Sequence, residues 1–173
     1  MDYLLTGQES KRLYFRKVQP SDFELWLPFH EDPLSSEFWS GENLSPKAAC
    51  QLWFDNTLYR YDNNLGGMNA LIDKNTKALL GQCGLLKQTV DNLQELEIGY
   101  SLLPAYRNQG YATEAAIKCK SFAFDYKQAQ SLISIIHIKN KASQNVAIKN
   151  GMSLDKTTTY KNNPVHIFRV ISQ

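Results

Sequence analysis

The chain is poor in cysteine, with only Cys50, Cys83 and Cys119 among its 173 residues. They are odd in number, far apart and lack a C-x-x-C spacing, which argues against a disulfide framework and against a zinc site. A reducing cytoplasm is the compartment this usage predicts. Long apolar runs are missing too. Nothing approaches the eighteen or so residues needed to cross a bilayer, and the start Met1-Asp2-Tyr3-Leu4-Leu5 has neither the basic nor the apolar region of a signal peptide. The chain is therefore expected to be soluble and unprocessed, with no membrane partner. Charge of one sign is scarce: the net charge of +2 is spread along the chain, with no cluster of about five or six Lys and Arg that would mark a nucleic-acid partner. His30, His137 and His166 show no ligand-like spacing, so no metal is expected.

What is present is ordinary for a folded chain: 43% apolar and 21% charged residues, enough length for one buried core and no repeat or linker. One domain over 1–173 is expected. Leu13 to Val18 reads as a first strand, and Ser21 or Asp22 as the cap of a helix running towards Pro28. Ser45-Pro46 starts a second helix that ends near Asn63-Asn64. Gly66 to Ile72 and Ala78 to Leu86 read as a hairpin around Asp73-Lys74-Asn75-Thr76. A strand from Leu93 alternates Leu96, Ile98, Tyr100 and Leu102 against Glu95, Glu97, Gly99 and Ser101, and Pro104 stops it.

The clearest helix follows, with Ala112, Ala115, Ala116, Cys119, Phe122, Ala123 and Tyr126 on one stripe and its N-terminus at Gln109-Gly110. Leu132 to Ile138 reads as a buried strand, Asn140 as the cap of a helix through Ile148, and the remainder, including Val165 to Ile171, as terminal strands. The order around residue 110 is thus strand, short loop, helix. A helix start offers backbone N–H groups without intrahelical partners at the positive end of the macrodipole, and Gly110 allows close approach, so the loop Arg107-Asn108-Gln109-Gly110-Tyr111-Ala112-Thr113 suits a phosphate.

Arg107-x-x-Gly110-x-Ala112 resembles the Q/R-x-x-G-x-G/A signature of the GNAT N-acetyltransferase superfamily. Glu97-Ile98-Gly99-Tyr100, Pro104 with Tyr106, and Tyr111-Ala112-Thr113-Glu114-Ala115 look like its central motif. Asn140-x-x-Ser143-x-x-Val146 and Lys149-Asn150-Gly151-Met152 look like its second. The resemblance is strongest over residues 95 to 152, with support from Leu13 to Asp22, and points to the branch that includes ribosomal-protein N-terminal acetyltransferases. It implies an α/β (α+β) GNAT fold, a central mixed twisted sheet of about six to seven strands flanked by about four helices, with a V-shaped splay between the fourth and fifth strands. It implies acetyl-CoA as cosubstrate, with backbone groups of Tyr100, Ser101 and Leu102 on the pantetheine arm and Asn140 on its far side. The amides of Arg107, Asn108, Gln109, Gly110, Tyr111, Ala112 and Thr113 would hold the pyrophosphate.

The activity implied is acetyl transfer to a primary amine of a small molecule or of a peptide or protein N-terminus, in a ternary complex. Such transfer needs a neutral amine, a stabilised oxyanion and a proton for the thiolate. By resemblance Glu97 is the base and Ser143 the proton donor. Many relatives carry a Tyr seven residues after the motif Asn, whereas Ala147 stands there. That departure leaves a non-catalytic acyl-CoA sensor or scaffold as the alternative. Trp39 and Phe29 belong to an aromatic-rich stretch that either roofs an acceptor pocket, as N-terminal helices do in related enzymes, or forms core. An exposed terminal strand often pairs in this family, which makes a homodimer one open state.

Overall fold

A computed structural model describes residues 2–39 and 43–172. The elements in chain order are β1 (Leu13–Lys17), α1 (Phe23–Glu31), α2 (Pro46–Asp62), β2 (Gly66–Asp73), β3 (Leu79–Val90), β4 (Leu93–Leu102), α3 (Tyr111–Asp125), β5 (Ser131–His137), α4 (Lys141–Lys149), β6 (Ser153–Tyr160) and β7 (Asn163–Ile171). The strands form a seven-stranded sheet in the order β1-β2-β3-β4-β5-β7-β6. Neighbours run antiparallel except β4 and β5, which are parallel and pair at Glu97 opposite Ile133. This is the mixed α/β architecture that the resemblance implied, with four α-helices about the sheet among the described residues.

Two apolar faces hold the sheet in place. Leu96, Ile98 and Leu102 of β4 pack beneath Ala115, Ala116, Cys119 and Phe122 of α3. On the opposite face Ala70, Ile72 and Leu79 meet Trp26 and Phe29 of α1 and Cys50 and Phe54 of α2. Helix α1 runs past the expected stop through Pro28 to Glu31. Proline forfeits one helical hydrogen bond there, and burial of Trp26 and Phe29 offsets the loss. Ser45 caps α2 through Ala48 N–H at 3.3 Å. Asp22 does not cap α1 with its side chain; its carboxylate receives both arms of the Arg16 guanidinium, each at 2.7 Å. The β3 strand continues to Val90, beyond the extent visible in the residue pattern, and the terminal strands are the edge strand β6 and β7. No helix of the described residues is long and apolar enough to cross a membrane.

Candidate active site

The site begins where the sheet opens. Beyond the Glu97–Ile133 pair, β4 and β5 make no further ladder contact among the described residues, and their C-terminal ends, Leu102 and His137, diverge. The hydroxyl of Ser134 sits at the apex and donates to the Ile98 carbonyl at 2.9 Å. In an antiparallel pair alternate residues turn both backbone groups to the partner. Leu103 N–H bonds Leu80 O at 3.0 Å, and Gln82 pairs with Ser101 in the same register. Ser101 therefore spends its backbone groups on β3, which corrects its expected place on the pantetheine arm. Tyr100 and Leu102, the alternate residues, present theirs to the cleft.

At the mouth of this cleft the chain turns through the short helix Pro104–Tyr106 into the loop before α3. Asn108 (φ 60°) and Gly110 (φ 82°) are both left-handed. Asn tolerates that region and Gly enters it freely, and such reversals turn successive N–H groups towards one concavity. Helical bonding starts only with Glu114 N–H to Gly110 O at 3.0 Å. The N–H groups of Asn108, Gln109, Gly110, Tyr111, Ala112 and Thr113 find no protein acceptor among the described residues. Beside Gly110 lies a cavity of about 500 Å³ whose lining includes Lys11, Thr113, Lys118 and Lys149. Unpaired amides, a helix N-terminus and three lysines make a fitting seat for phosphate groups.

Arg12, which no motif marks, and Glu114, which stands in the central motif, shape this loop. The Arg12 guanidinium lies 4.1 Å over the Tyr111 ring and bonds Gln109 O at 3.0 Å. Glu114 secures it: its carboxylate accepts from Ser10 Oγ at 2.6 Å, Arg12 N at 2.7 Å and Arg12 Nε at 2.7 Å. Burial pushes the Glu114 carboxyl up, but the bonds from Ser10 and Arg12 outweigh it and hold it below its ordinary value. Glu114 therefore contributes stability above its unfolded-state pKa that is lost as pH falls through the lowered one. Glu114→Ala is expected to cost about 2 kcal/mol in urea unfolding at neutral pH, since it strands a backbone donor and a guanidinium, and less in acid.

Cβ alternation places Glu95, Glu97, Gly99 and Ser101 on the face away from α3. Glu95 is claimed by Arg169, whose Nη2 and Nη1 reach it at 2.7 and 3.1 Å. Glu97 is not matched in this way. It is half-buried at the sheet opening, and its Oε2 accepts from Gln88 Nε2 at 2.7 Å, while the Tyr160 hydroxyl donates to Gln88 Oε1 at 3.0 Å. Burial raises its pKa; Gln88, the Ile135 N–H, Arg60 and Lys161 pull the other way without cancelling the rise. The two carboxylates, alike in sequence, thus differ in their surroundings: Glu95 is held in an ion pair by Arg169, whereas Glu97 is held by a neutral amide and its pKa is raised by burial.

On the other wall, Asn140 Oδ1 caps α4 through Ser143 N–H at 3.1 Å. Ser143 Oγ itself bonds no described residue, whereas Tyr100 reaches across the cleft to Ser143 O at 2.7 Å. Burial pushes the Tyr100 phenol far up, so it stays protonated. Ala147 is fully buried against Ile136, Met152 and Phe168. Of the two aromatic candidates, Phe29 is only 9% exposed and stacks on Trp26 at 4.6 Å, whereas Trp39 is 43% exposed. Phe29 is thus core, which corrects its expected place at an acceptor pocket, whereas Trp39 is exposed.

The Arg107 side chain is half-buried and engaged with the protein. Its Nη1 meets Asp32 Oδ2 at 2.6 Å, its Nη2 Ser35 Oγ at 2.7 Å and its Nε Leu102 O at 3.3 Å. Sequence reasoning pointed to the loop, Glu97 and Ser143, which the fold brings to the β4–β5 opening; it gave no signal for Arg12, Gln88, Ser134 and Tyr160, which reach the same region through long-range register that no local motif encodes.

Known proteins share this arrangement. The model of the acetyltransferase (GNAT) domain family matches residues 12–153. The uncharacterized protein YkkB of Bacillus subtilis is 38% identical over 96 residues, a match spanning 56% of this chain and 56% of that protein. An acetyltransferase from Agrobacterium tumefaciens superposes with a TM-score of 0.78 at 23% identity, covering 94% of this chain and 92% of the other. The ribosomal L7/L12 alpha-N-protein acetyltransferase RimL, solved in complex with coenzyme A, superposes with a TM-score of 0.74 at 14% identity, covering 96% and 97%. A family match across most of the chain, on a sheet that splays at the expected strands, means that this chain belongs to the GNAT acetyltransferase family.

Proposed function

We propose that the chain, as one domain over residues 1–173, transfers an acetyl group from acetyl-CoA to a primary amine, in a ternary complex. The acceptor is a peptide or protein N-terminus or a small-molecule amine. The observation that carries this reading is the run of unpaired amides from Asn108 to Thr113, set at the mouth of a cleft that has a half-buried carboxylate at its apex. RimL, which shares the fold, acts by its name on a protein α-amine and was solved with coenzyme A.

Acetyl-CoA, when bound, supplies an acetyl thioester for attack by the amine. The amides of the loop hold the pyrophosphate, and Lys11, Lys118 and Lys149 add positive charge around the adjoining cavity. Tyr100 and Leu102 offer backbone groups to the arm in the manner of an added strand. Glu97 takes a proton from the incoming ammonium, directly or through one water. An α-amine has an ordinary pKa of about 7.7 and a lysine about 10.4, so the base matters more for lysine. Ser143 Oγ, free of the helix cap, delivers a proton to the thiolate and regains one from the second proton that the attacking nitrogen sheds on becoming an amide, with the Tyr100 hydroxyl beside it on the Ser143 carbonyl.

Incubation with acetyl-CoA and a panel of amines tests the reading: release of free thiol together with acetylated amine supports it. Binding without thiol release from any amine would replace it with the acyl-CoA sensor. Ser143→Ala is expected to slow turnover by about tenfold or less, because thiols of ordinary acidity leave with little help. High pH is expected not to restore the rate, since the lost service is proton donation.

A further inference from the structure

The open end of the cleft is crossed by a segment of chain, and one arginine ties that segment to the phosphate loop. Leu102 and His137 are the diverging ends of the two parallel strands. Arg107, just past the first end, grips Asp32 and Ser35. At the second end the Phe38 ring stacks on the His137 ring, centroids 5.4 Å apart and planes 24° from parallel. Residues 35 to 38 must therefore pass from one rim to the other. Three residues reach at most about 10 Å, which is about two strand spacings and so enough to bridge one missing strand. Along β5, Ile133, Ile135 and His137 share a face, and Ile133 is the partner of Glu97 in the sheet. The crossing therefore lies on the Glu97 side, where an acceptor would approach, with Trp39 next in sequence.

The strap is held by specific bonds. Asp32 Oδ2 accepts from Arg107 Nη1 and also from Ser35 Oγ at 3.1 Å, and Asp32 Oδ1 accepts from Leu34 N–H at 3.3 Å. The bond from Arg107 is foremost in holding the Asp32 carboxyl below its usual range, so that carboxyl stays ionised at neutral pH. A planar guanidinium that touches a carboxylate, a hydroxyl and a backbone carbonyl at once fixes orientation as well as distance. The Arg107 donors so engaged are spent on groups of the protein itself.

We propose that Arg107 is a positioning residue for the acceptor: its guanidinium fastens the strap of residues 32–39 to the loop bearing the Asn108–Thr113 amides, so that filling those amides and closing the acceptor face are one event. This rests on the acetyl-transfer reading for the identity of the anion, and extends it by making the acceptor site depend on the cofactor. An acceptor then meets a complete pocket only after coenzyme A has entered, and the backbone amides alone carry the phosphate contacts of this loop.

Hydrogen exchange of the full-length chain with and without coenzyme A, alongside calorimetric affinity, tests the assignment. In the unliganded protein, Arg107→Met and Asp32→Asn are each expected to speed exchange across residues 32–39 by about tenfold, leaving β4 and α3 unchanged. With coenzyme A the wild type is expected to slow exchange in residues 32–39 by about tenfold, and both variants to bind it within about threefold of wild type yet lose that slowing. Arg107→Lys, which keeps the charge without the fork, is expected to recover part of it. Affinity lost by tenfold or more in Arg107→Met, with the strap unaltered, would make Arg107 a phosphate ligand and overturn the assignment. Wild-type exchange in the strap indifferent to bound coenzyme A would refute the coupling. A wild type that takes up no coenzyme A refutes both the coupling and the acetyl-transfer reading, and the unliganded arm then still decides whether Arg107 ties the strap.

Discussion

Glu97→Gln is expected to lower turnover by about a hundredfold at neutral pH, the usual scale for loss of a general base, while acetyl-CoA affinity hardly changes. The pH dependence carries more information than the single number. Burial raises the Glu97 pKa above the ordinary carboxylate value, so the acid limb of kcat/KM in the wild type lies higher than an exposed glutamate would give. In the variant that limb vanishes and the rate climbs with pH as the amine loses its proton unaided. Stability moves in the opposite sense. A carboxyl whose folded pKa is raised contributes stability that is fully present below the unfolded pKa and is lost as pH rises through the folded one. Above its folded pKa the ionised Glu97 is therefore a cost, and an isosteric amide is expected to hold or raise the melting temperature there. A variant with wild-type rates at every pH would remove Glu97 from proton transfer and leave positioning and backbone stabilisation as the source of rate.

Gly110→Glu is expected to weaken acetyl-CoA binding by a hundredfold or more, roughly the loss of a phosphate seat plus the arrival of a like charge. Gly110 has φ of 82°, and a Cβ placed there would lie 3.4 Å from Arg12 Nη2. The new carboxylate would thus enter the space before the amides and sit within reach of Arg12, taking the anion's place. Strain contributes separately, because a side chain in the left-handed region costs about 1–2 kcal/mol. Gly110→Ala isolates that part: it is expected to lower stability with a much smaller loss of affinity. Calorimetry on the two variants, with unfolding curves to confirm that both remain folded, separates charge from strain. Equal affinities in Gly110→Glu and wild type would show that the phosphates lie elsewhere.

Much of this site was legible because its parts are local. The loop from Arg107 to Thr113, the helix behind it and the alternation on β4 are all short-range patterns, and the resemblance to GNAT motifs rested on them. The Asn140 cap was also local and is present as read. What escaped detection depends on pairing between distant segments. Gln88 reaches Glu97 because β3 and β4 pair with Gln88 opposite Glu95, which makes the two side chains diagonal neighbours, and Tyr160 arrives from the far end of β6. The difference between Glu95 and Glu97 is likewise set by Arg169, seventy-four residues from Glu95, and by no feature of β4 itself. Ser101 was misassigned because its backbone direction follows from the register with β3, which a residue pattern does not reveal. Arg107 carried a motif signal, but the signal concerned its main chain; the partners of its guanidinium, Asp32 and Ser35, lie in a loop whose composition announces nothing.

The most direct test of the account is to follow backbone amide shifts by NMR while acetyl-CoA is titrated into the wild-type chain. The account predicts that Asn108, Gln109, Gly110, Tyr111, Ala112 and Thr113 move most, together with Tyr100 and Leu102 along the cleft, and that the same signals stay still in Gly110→Glu. Saturating acetyl-CoA that leaves those amides unmoved, or that shifts only residues remote from the β4–β5 opening, would contradict it.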